Sequence, residues 1–333
     1  MKNISIILGT LATIVLVLVA ARYVSGWWLF WTFASLQIHL SAVAFVLGAL
    51  SFVFCRHILN MLIMVAAIAL GVHGVIMLND FRQPALENYG NTPTAKLLSL
   101  NIQGDNSFAN GKKIADYMIK SGADVIFIQE SAPLFPELAR ISTAYPYRLG
   151  CGNFTITCDS SVWSKTPFVS SLVKTASPIY RDRLQIASIE FGGKVINFAN
   201  VHLTKPYFDD FQARELKKIT QWLDKVPGPL VLAGDFNSTV LNPVVQRFLQ
   251  DRKLMSVDGE PTTVPIQLPE IGMAIDHVFV GGPMRITSLT RVPDPIGSNH
   301  YGLMAEVTLT DPTASYPPKK VVDSSSSANH PLQ

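Results

Sequence analysis

The apolar positions of the chain fall into two regimes. Up to residue 78 they form long unbroken runs, at residues 4–21, roughly 30–54 and 58–78. Each run is near the length that crosses a bilayer as a helix, so three transmembrane helices are expected over residues 1–78. Trp27, Trp28 and Trp31 gather at the start of the second run, as in an interfacial aromatic belt. The link "CRHILN" is short, so the second and third spans should form a tight helical hairpin. A cleaved signal peptide would explain the first run but not the next two. Gln37, His39 and His73 lie within the spans and read either as a polar pathway or, more simply, as lone polar residues at helix–helix contacts.

Past residue 78 the apolar runs shorten and polar residues punctuate them. Residues 79–94 carry Pro, Gly and Asn and read as a linker. Residues 95–312 are long enough for one sizeable α/β domain. Runs of strand length lie at 95–102, 124–130, 194–203, 229–237, 273–280 and 297–309. Helical spacing appears at 110–122, with Ile114, Met118 and Ile119 on one face and Gly122 as the cap. It returns at 208–226, with Phe211, Ile219, Trp222 and Leu223 facing inward. Residues 313–333 are rich in Ser and Pro and are expected to be disordered.

Composition sharpens this division. The chain of 333 residues is 48% hydrophobic and 15% charged, too apolar for an average soluble domain. Residues 1–78 hold Lys2, Arg22 and Arg56 and no acidic residue. Removing those three from the 27 Lys and Arg leaves 24, against 24 Asp and Glu, so the remainder is formally neutral. Long nucleic acid is usually gripped by a basic excess, which is not visible here. Lys2 ahead of the first span favours an inside N-terminus and puts the domain outside the cytoplasm, in the manner of a bacterial inner-membrane protein. Arg22, Arg82 and Lys96 oppose a clean positive-inside count. Cys151 and Cys158 flank "GNFTIT" and read either as a disulfide, fitting an oxidising compartment, or as two buried thiols.

The candidate chemistry sits where strands end. "VLAGDFNST" finishes with Asp235 and Asn237 two positions apart, hence on one side of a strand, beside Gly234. The same stretch reads equally as a strand entering a turn, with Gly234 letting the backbone turn or a ligand come close. Four more strands end in or adjoin polar residues: Asn101, Glu130, His202, and Asn299 with His300. Asp276 lies in an otherwise apolar run. A lone His at a strand end is more often structural than catalytic. Turn chemistry, however, does not place Glu130 after "VIFIQ" or His202 after "FANV". Side-by-side strands would bring the whole set to one rim.

In order and spacing, "LLSLNIQG", "DVIFIQES", "NFANVHL", "LVLAGDFN", "IDHVF" and "SNHYGL" resemble the endonuclease/exonuclease/phosphatase superfamily. That superfamily includes pancreatic deoxyribonuclease, abasic-site endonucleases, bacterial sphingomyelinases and inositol polyphosphate 5-phosphatases. The resemblance covers about residues 95–309. It implies a four-layer α/β sandwich, two packed mixed β-sheets flanked by helices, here preceded by three transmembrane helices. It also implies metal-assisted attack of water on a phosphate ester. By resemblance Glu130 is the main Mg²⁺ ligand, with Asn101 and Asn299, and Mn²⁺ could replace Mg²⁺. Asp235 would orient or deprotonate the water, and Asn237 would donate to phosphoryl oxygens. His300, held by Asp276, would polarise the phosphoryl group or take part in proton transfer. His202 would protonate the leaving group or bind phosphate. Arg183 is a weaker phosphate-binding candidate, with a surface Arg as its plainer reading.

Two positions depart from the family pattern. The usual Ser-Asp-His is Ser298-Asn299-His300, and Gln103 stands where Asp or Asn is common. Both remove negative charge from a metal site. The first expectation is a membrane-anchored, divalent-metal-dependent phosphoesterase acting on a lipid head group or nucleic acid. The alternative is a degenerate member that binds a phosphorylated ligand or partner without turnover. The bilayer and a phosphate-ester substrate are the partners implied; no protein partner is identifiable.

Overall fold

In the computed structural model, which describes residues 1–84 and 93–310, the apolar runs become helices first and strands afterwards. Of the expected linker at 79–94, residues 85–92 lie outside the described residues, as does the tail at 313–333; Asn79 still ends α4 and Thr94 opens β1. The N-terminal helices are α1 (Lys2–Ala20), α2 (Trp31–Ser35), α3 (Gln37–Phe54) and α4 (Ile58–Asn79). The segments Lys2–Tyr23, Gln37–Phe54 and Ile58–Asn79 are long and apolar enough to cross a membrane. The second run is shorter than its hydropathy suggests, because the short helix α2 ends at Ser35 and α3 starts afresh after Leu36. Near this break the N-terminal segment is hydrogen-bonded to the following domain. Thr239 Oγ1 donates to the Ser35 carbonyl at 3.0 Å. Arg22 reaches Gln246 Oε1 at 2.7 Å from the end of the first span.

The hairpin between α3 and α4 is closed by polar side chains. His57 Nδ1 accepts from the Leu59 N–H, capping α4. Asn60 Nδ2 donates to the Cys55 carbonyl, and Ser51 Oγ donates to Asn60 Oδ1. Gln37 donates to the Leu70 carbonyl at 2.8 Å and accepts from Arg22 at 2.9 Å. His73 Nδ1 lies 2.8 Å from the Tyr23 hydroxyl. These two sit at helix contacts as expected. His39 does not, since its Nε2 donates to the Ile271 carbonyl of the domain at 3.0 Å.

The domain adds helices α5 (Phe108–Lys120), α6 (Leu138–Ala144), α7 (Phe211–Leu223) and α8 (Pro243–Arg252). Its strands are β1 (Thr94–Asn101), β2 (Val125–Gln129), β3 (Tyr147–Gly150), β4 (Ser160–Ser164), β5 (Phe168–Lys174), β6 (Leu184–Phe191), β7 (Lys194–His202), β8 (Leu230–Asp235), β9 (Asp276–Gly281), β10 (Met284–Arg291) and β11 (Leu303–Leu309). One sheet runs β10-β11-β1-β2-β4-β3 and the other β5-β6-β7-β8-β9. Both are mixed: β1–β2 and β7–β8 are parallel pairs, and the other pairs are antiparallel.

Alternation along the strands builds the layers. Leu97 and Phe127 of one sheet pack on Phe198, Val231 and Val278 of the other, in a core between the sheets. The intervening Leu98 and Ile126 turn outward onto Ile114 and Met118 of α5. Ala199 and Leu232 likewise turn onto Leu216, Ile219 and Leu223 of α7. With apolar residues wanted on both faces, the strands read as near-continuous hydrophobic runs. The result is the four-layer α/β sandwich.

Two boundaries differ from the sequence reading. Strand β9 begins at Asp276, so residues 273–275 precede it; Met273 instead bridges Val264. Strand β11 begins at Leu303, leaving Asn299 and His300 in the preceding loop. There Ser298 Oγ donates to the Asn101 carbonyl at 2.7 Å, fastening the loop over the end of β1.

Candidate active site

The parity that fills the inter-sheet core also aims the polar strand ends. Asp235 shares its face with Val231 and Ala233, His202 with Phe198, and Asp276 with Val278. Register then lines them up. His202 pairs with Asp235 across β7–β8, and Asp235 pairs with Asp276 across β8–β9. Three titratable side chains thus form one cross-strand row at the end of the core. All three are buried.

Asp235 is tied on both oxygens. Its Oδ1 accepts the Asn237 N–H at 2.7 Å. Its Oδ2 accepts from Asn101 Nδ2 at 2.9 Å and Asn237 Nδ2 at 3.1 Å. Asn237 Nδ2 also donates to the Leu203 carbonyl at 2.9 Å, so both its amide hydrogens are committed. Burial, then the neighbouring Asp276, push the Asp235 carboxyl above the usual carboxylate range.

Asp276 Oδ2 faces His300 Nδ1 at 2.8 Å. Burial disfavours a charged His300. The carboxylates of Asp276 and Asp235 outweigh it and hold the imidazole up at about 9. Asp235, Asp276 and His300 present ligand atoms within 4.8 Å of one another, a buried grouping that could hold a metal ion. Nδ1 of this His is already spent on Asp276.

Glu130 follows β2 in a left-handed conformation, φ 59°, which swings its side chain off the strand direction. Its Oε2 accepts the Gly104 N–H at 2.6 Å, and its Oε1 lies 3.4 Å from Asn101 Nδ2. The carboxylate remains 34% exposed, the most open acid of the group. It borders a cavity of about 380 Å³, together with His202, Asn237, Lys205 and Tyr180. His202 Nε2 lies 3.9 Å from Glu130 and 3.7 Å from Asp235. The open Glu130 carboxylate is an oxygen donor of the kind a hard divalent cation takes, while Asn101 turns its NH₂ rather than its oxygen toward both acids.

Arg183 is not a surface residue. It lines the same cavity, but its guanidinium forks onto Asp159 at 2.6 and 2.8 Å and lies over the Tyr180 ring at 3.6 Å. Burial pushes the Asp159 carboxyl up, while His202 and Arg183 outweigh that and hold it at about 2. Asp159 also comes within 3.5 Å of His202 Nδ1, without hydrogen-bond geometry. Asn299 stands apart from the row. Its backbone N–H donates to Gln103 Oε1 at 3.1 Å, and Gln103 N–H donates to Asn101 Oδ1 at 3.0 Å. Asn299 therefore joins the site through Gln103.

Sequence reasoning did not find Asp159 or Gly104. Asp159 precedes β4, a strand hidden by its polar start "DSS". Cys158 beside it was the only signal there. Cys151 and Cys158 form a disulfide, and Cys158 borders the cavity. Gly104 acts through its backbone, which no side-chain pattern reveals.

The model of the Endonuclease/Exonuclease/phosphatase family matches residues 98–300, more than half of the chain. No curated protein matches it by sequence. Among solved structures it is similar to D. rerio TDP2 complexed with single strand DNA product, at 16% identity and TM-score 0.53, covering 65% of this chain and 99% of that one. An endonuclease/exonuclease/phosphatase from Bacteroides vulgatus also gives 16% identity and TM-score 0.53, with coverage of 65% and 99%. A family protein from Leptotrichia buccalis gives 15% and 0.51, with coverage of 65% and 100%. These likenesses concern the fold.

Proposed function

The chain belongs to the endonuclease/exonuclease/phosphatase family, and on that premise we propose that it is a membrane-anchored, divalent-metal-dependent phosphoesterase. The observation that carries the reading is the in-register row of His202, Asp235 and Asp276, with His300 on Asp276 and Glu130 open to the cavity. A divalent cation such as Mg²⁺ would be held by Glu130, with Asn101 and Asn299 as candidate neutral ligands, and would supply Lewis-acid polarisation of the phosphoryl group. Asp235 takes a proton from the attacking water, and its raised affinity for protons makes it a stronger base than a surface carboxylate. Asn237 holds Asp235 in place and can exchange its Leu203 bond for a phosphoryl oxygen. His300, an imidazolium at neutral pH, turns its remaining N–H toward developing negative charge. As the bond from phosphorus to the leaving oxygen breaks, His202 donates the proton that oxygen needs. Arg183 fixes Asp159 beside His202, which makes it a positioning residue.

The test is hydrolysis of bis-p-nitrophenyl phosphate by the full chain in detergent, titrated with Mg²⁺ or Mn²⁺ and abolished by chelator. Asn299→Asp adds a carboxylate next to His300, where an amide binds a hard dication less well. It should lower the Mg²⁺ needed for half-maximal rate, or create activity if the wild type has none. An unchanged Mg²⁺ requirement would detach residue 299 from the metal. A wild type and variant both silent would favour the second reading, a binding protein without turnover, to which the neutral Asn299 and Gln103 point.

The domain is proposed to face away from the cytoplasm. Three candidate spans after Lys2 and the Cys151–Cys158 disulfide support that orientation. A reporter fused after Leu309 should be active only on the exoplasmic side, and cytoplasmic activity would reverse the topology.

A further inference from the structure

The catalytic cavity does not end at its own walls. Lys205 and Asn237 line it and also line a second pocket, bounded by Thr32, Ser35 and Met273. Ser35 and Met273 in turn line a third, of about 640 Å³. Three cavities that share wall residues adjoin one another, from Glu130 and His202 to the first turns of α3, and together they are called the groove. A small-molecule site typically occupies roughly 300–1,000 Å³, so the far chamber is of ligand size.

The character of the groove changes along its length. At the catalytic end it carries acids, His202 and Lys205. At the far end Ile38, Ala42 and Val43 of α3 and Ala274 of the domain line the chamber beside the charged Arg82, Glu260 and Glu270. Those α3 positions fall in the first two turns of a segment long and apolar enough to cross a bilayer. The neck between the ends is polar in a specific way. Ser35 Oγ and Thr32 Oγ1 are buried there and have no hydrogen-bond partner among the described residues. Ser35 as a whole is only 7% exposed. A buried hydroxyl without a partner costs stability unless something else completes it.

We propose that this groove binds a lipid phosphate ester from the bilayer. Its phosphate lies at Glu130, His202 and Asp235, its oxygen-bearing linker at the Thr32 and Ser35 hydroxyls, and its hydrocarbon tail in the chamber beneath α3. The proposal rests on the phosphoesterase reading for the head of the molecule, while the neck and chamber stand on their own geometry. Bulk solvent does not supply such a ligand, but a membrane does. It also explains why α2 is held against the domain: the helix that carries Thr32 and Ser35 must keep its place for the neck to exist.

The test uses the full chain and two diesters with the same scissile bond, methyl p-nitrophenyl phosphate and hexadecyl p-nitrophenyl phosphate, in identical nonionic micelles. The wild type should favour the hexadecyl ester by about tenfold or more in kcat/KM, since each buried methylene adds to binding. Filling the chamber with Ala42→Phe and Ala274→Phe should erase most of that ratio. Val65→Phe, on the outward face of α4, should keep it. Equal turnover of the two esters, or a ratio untouched by filling, overturns the lipid assignment and leaves the phosphoesterase reading standing. If neither ester is cleaved, the phosphoesterase reading fails and a photoreactive probe decides the rest. Hexadecyl phosphate with a terminal diazirine should label residues 35–43 and 271–274, and the filled variant should lose that label. Label confined to outward helix positions such as Val17 and Val65 refutes the chamber.

Discussion

His300→Ala should lower turnover by ~10²–10³-fold, the usual cost of losing one donor aimed at developing charge. Asp235→Asn, nearly isosteric, should fall in the same range. The two residues are linked through Asp276, which bonds His300 and pairs in register with Asp235. The double variant should therefore be little worse than either single one. A pH measurement separates this role from a structural one. His300 is held at about 9, above its ordinary 6.5, so the folded form keeps a proton that the unfolded chain has lost. The stabilisation is complete below 6.5 and disappears as pH rises through about 9. In chelator, the melting temperature of the wild type should decline across that window, and His300→Ala should lose most of the decline. Wild-type turnover in either single variant would remove the row from the chemistry. A flat melting profile would mean that Asp276 does not hold an imidazolium.

How much of this was legible depended on whether a residue acts through its type or through its neighbours. The strand at 194–203 was readable to its end because β7 is buried on both faces and then stops at His202. Glu130 was readable because a carboxylate is out of place after "VIFIQ". The row of His202, Asp235 and Asp276 was not, since register between strands leaves no mark in a single sequence. Asp276 in particular was read inside a strand that it in fact opens. The loop of Asn299 and His300 was drawn into the last strand for a related reason. Its position is fixed by the Ser298 bond to Asn101, 197 residues away in sequence. Arg183 looked like surface because nothing local announces Asp159 as its partner. Strands β3 to β6 escaped notice where polar residues such as Ser160, Ser161 and Ser164 are buried by hydrogen bonding rather than by hydrophobicity.

Gly234 is the residue whose role was most misjudged, and its replacement has the second large effect. In sequence it appeared to free the backbone for a turn or a ligand. In the structure it lies inside β8, opposite Val201 in the parallel pairing with β7. Its φ is +136°, where side-chain-bearing residues are rarely found, and a Cβ would stand 1.9 Å from the Val201 carbonyl oxygen. That oxygen is backbone in the middle of a packed sheet and cannot rotate away. Gly234→Ala must therefore push β7 and β8 apart or twist β8, and the next pair in the ladder is His202 with Asp235. A cost of about 3 kcal/mol or more is expected, in the range reserved for core disruption. For a domain of this size that lowers the melting temperature by on the order of 10 °C. Gly259→Ala is the matched control: its φ is +65°, and a Cβ there meets nothing within 4 Å. Only the conformational penalty of roughly 1–2 kcal/mol applies at that site. Turnover should collapse in Gly234→Ala even well below its melting point, because Asp235 and His202, the proposed base and leaving-group acid, are separated, while Gly259→Ala stays active. If the two variants melt together and both turn over phosphate esters normally, the close approach of β7 and β8 does not set the spacing of the catalytic pair.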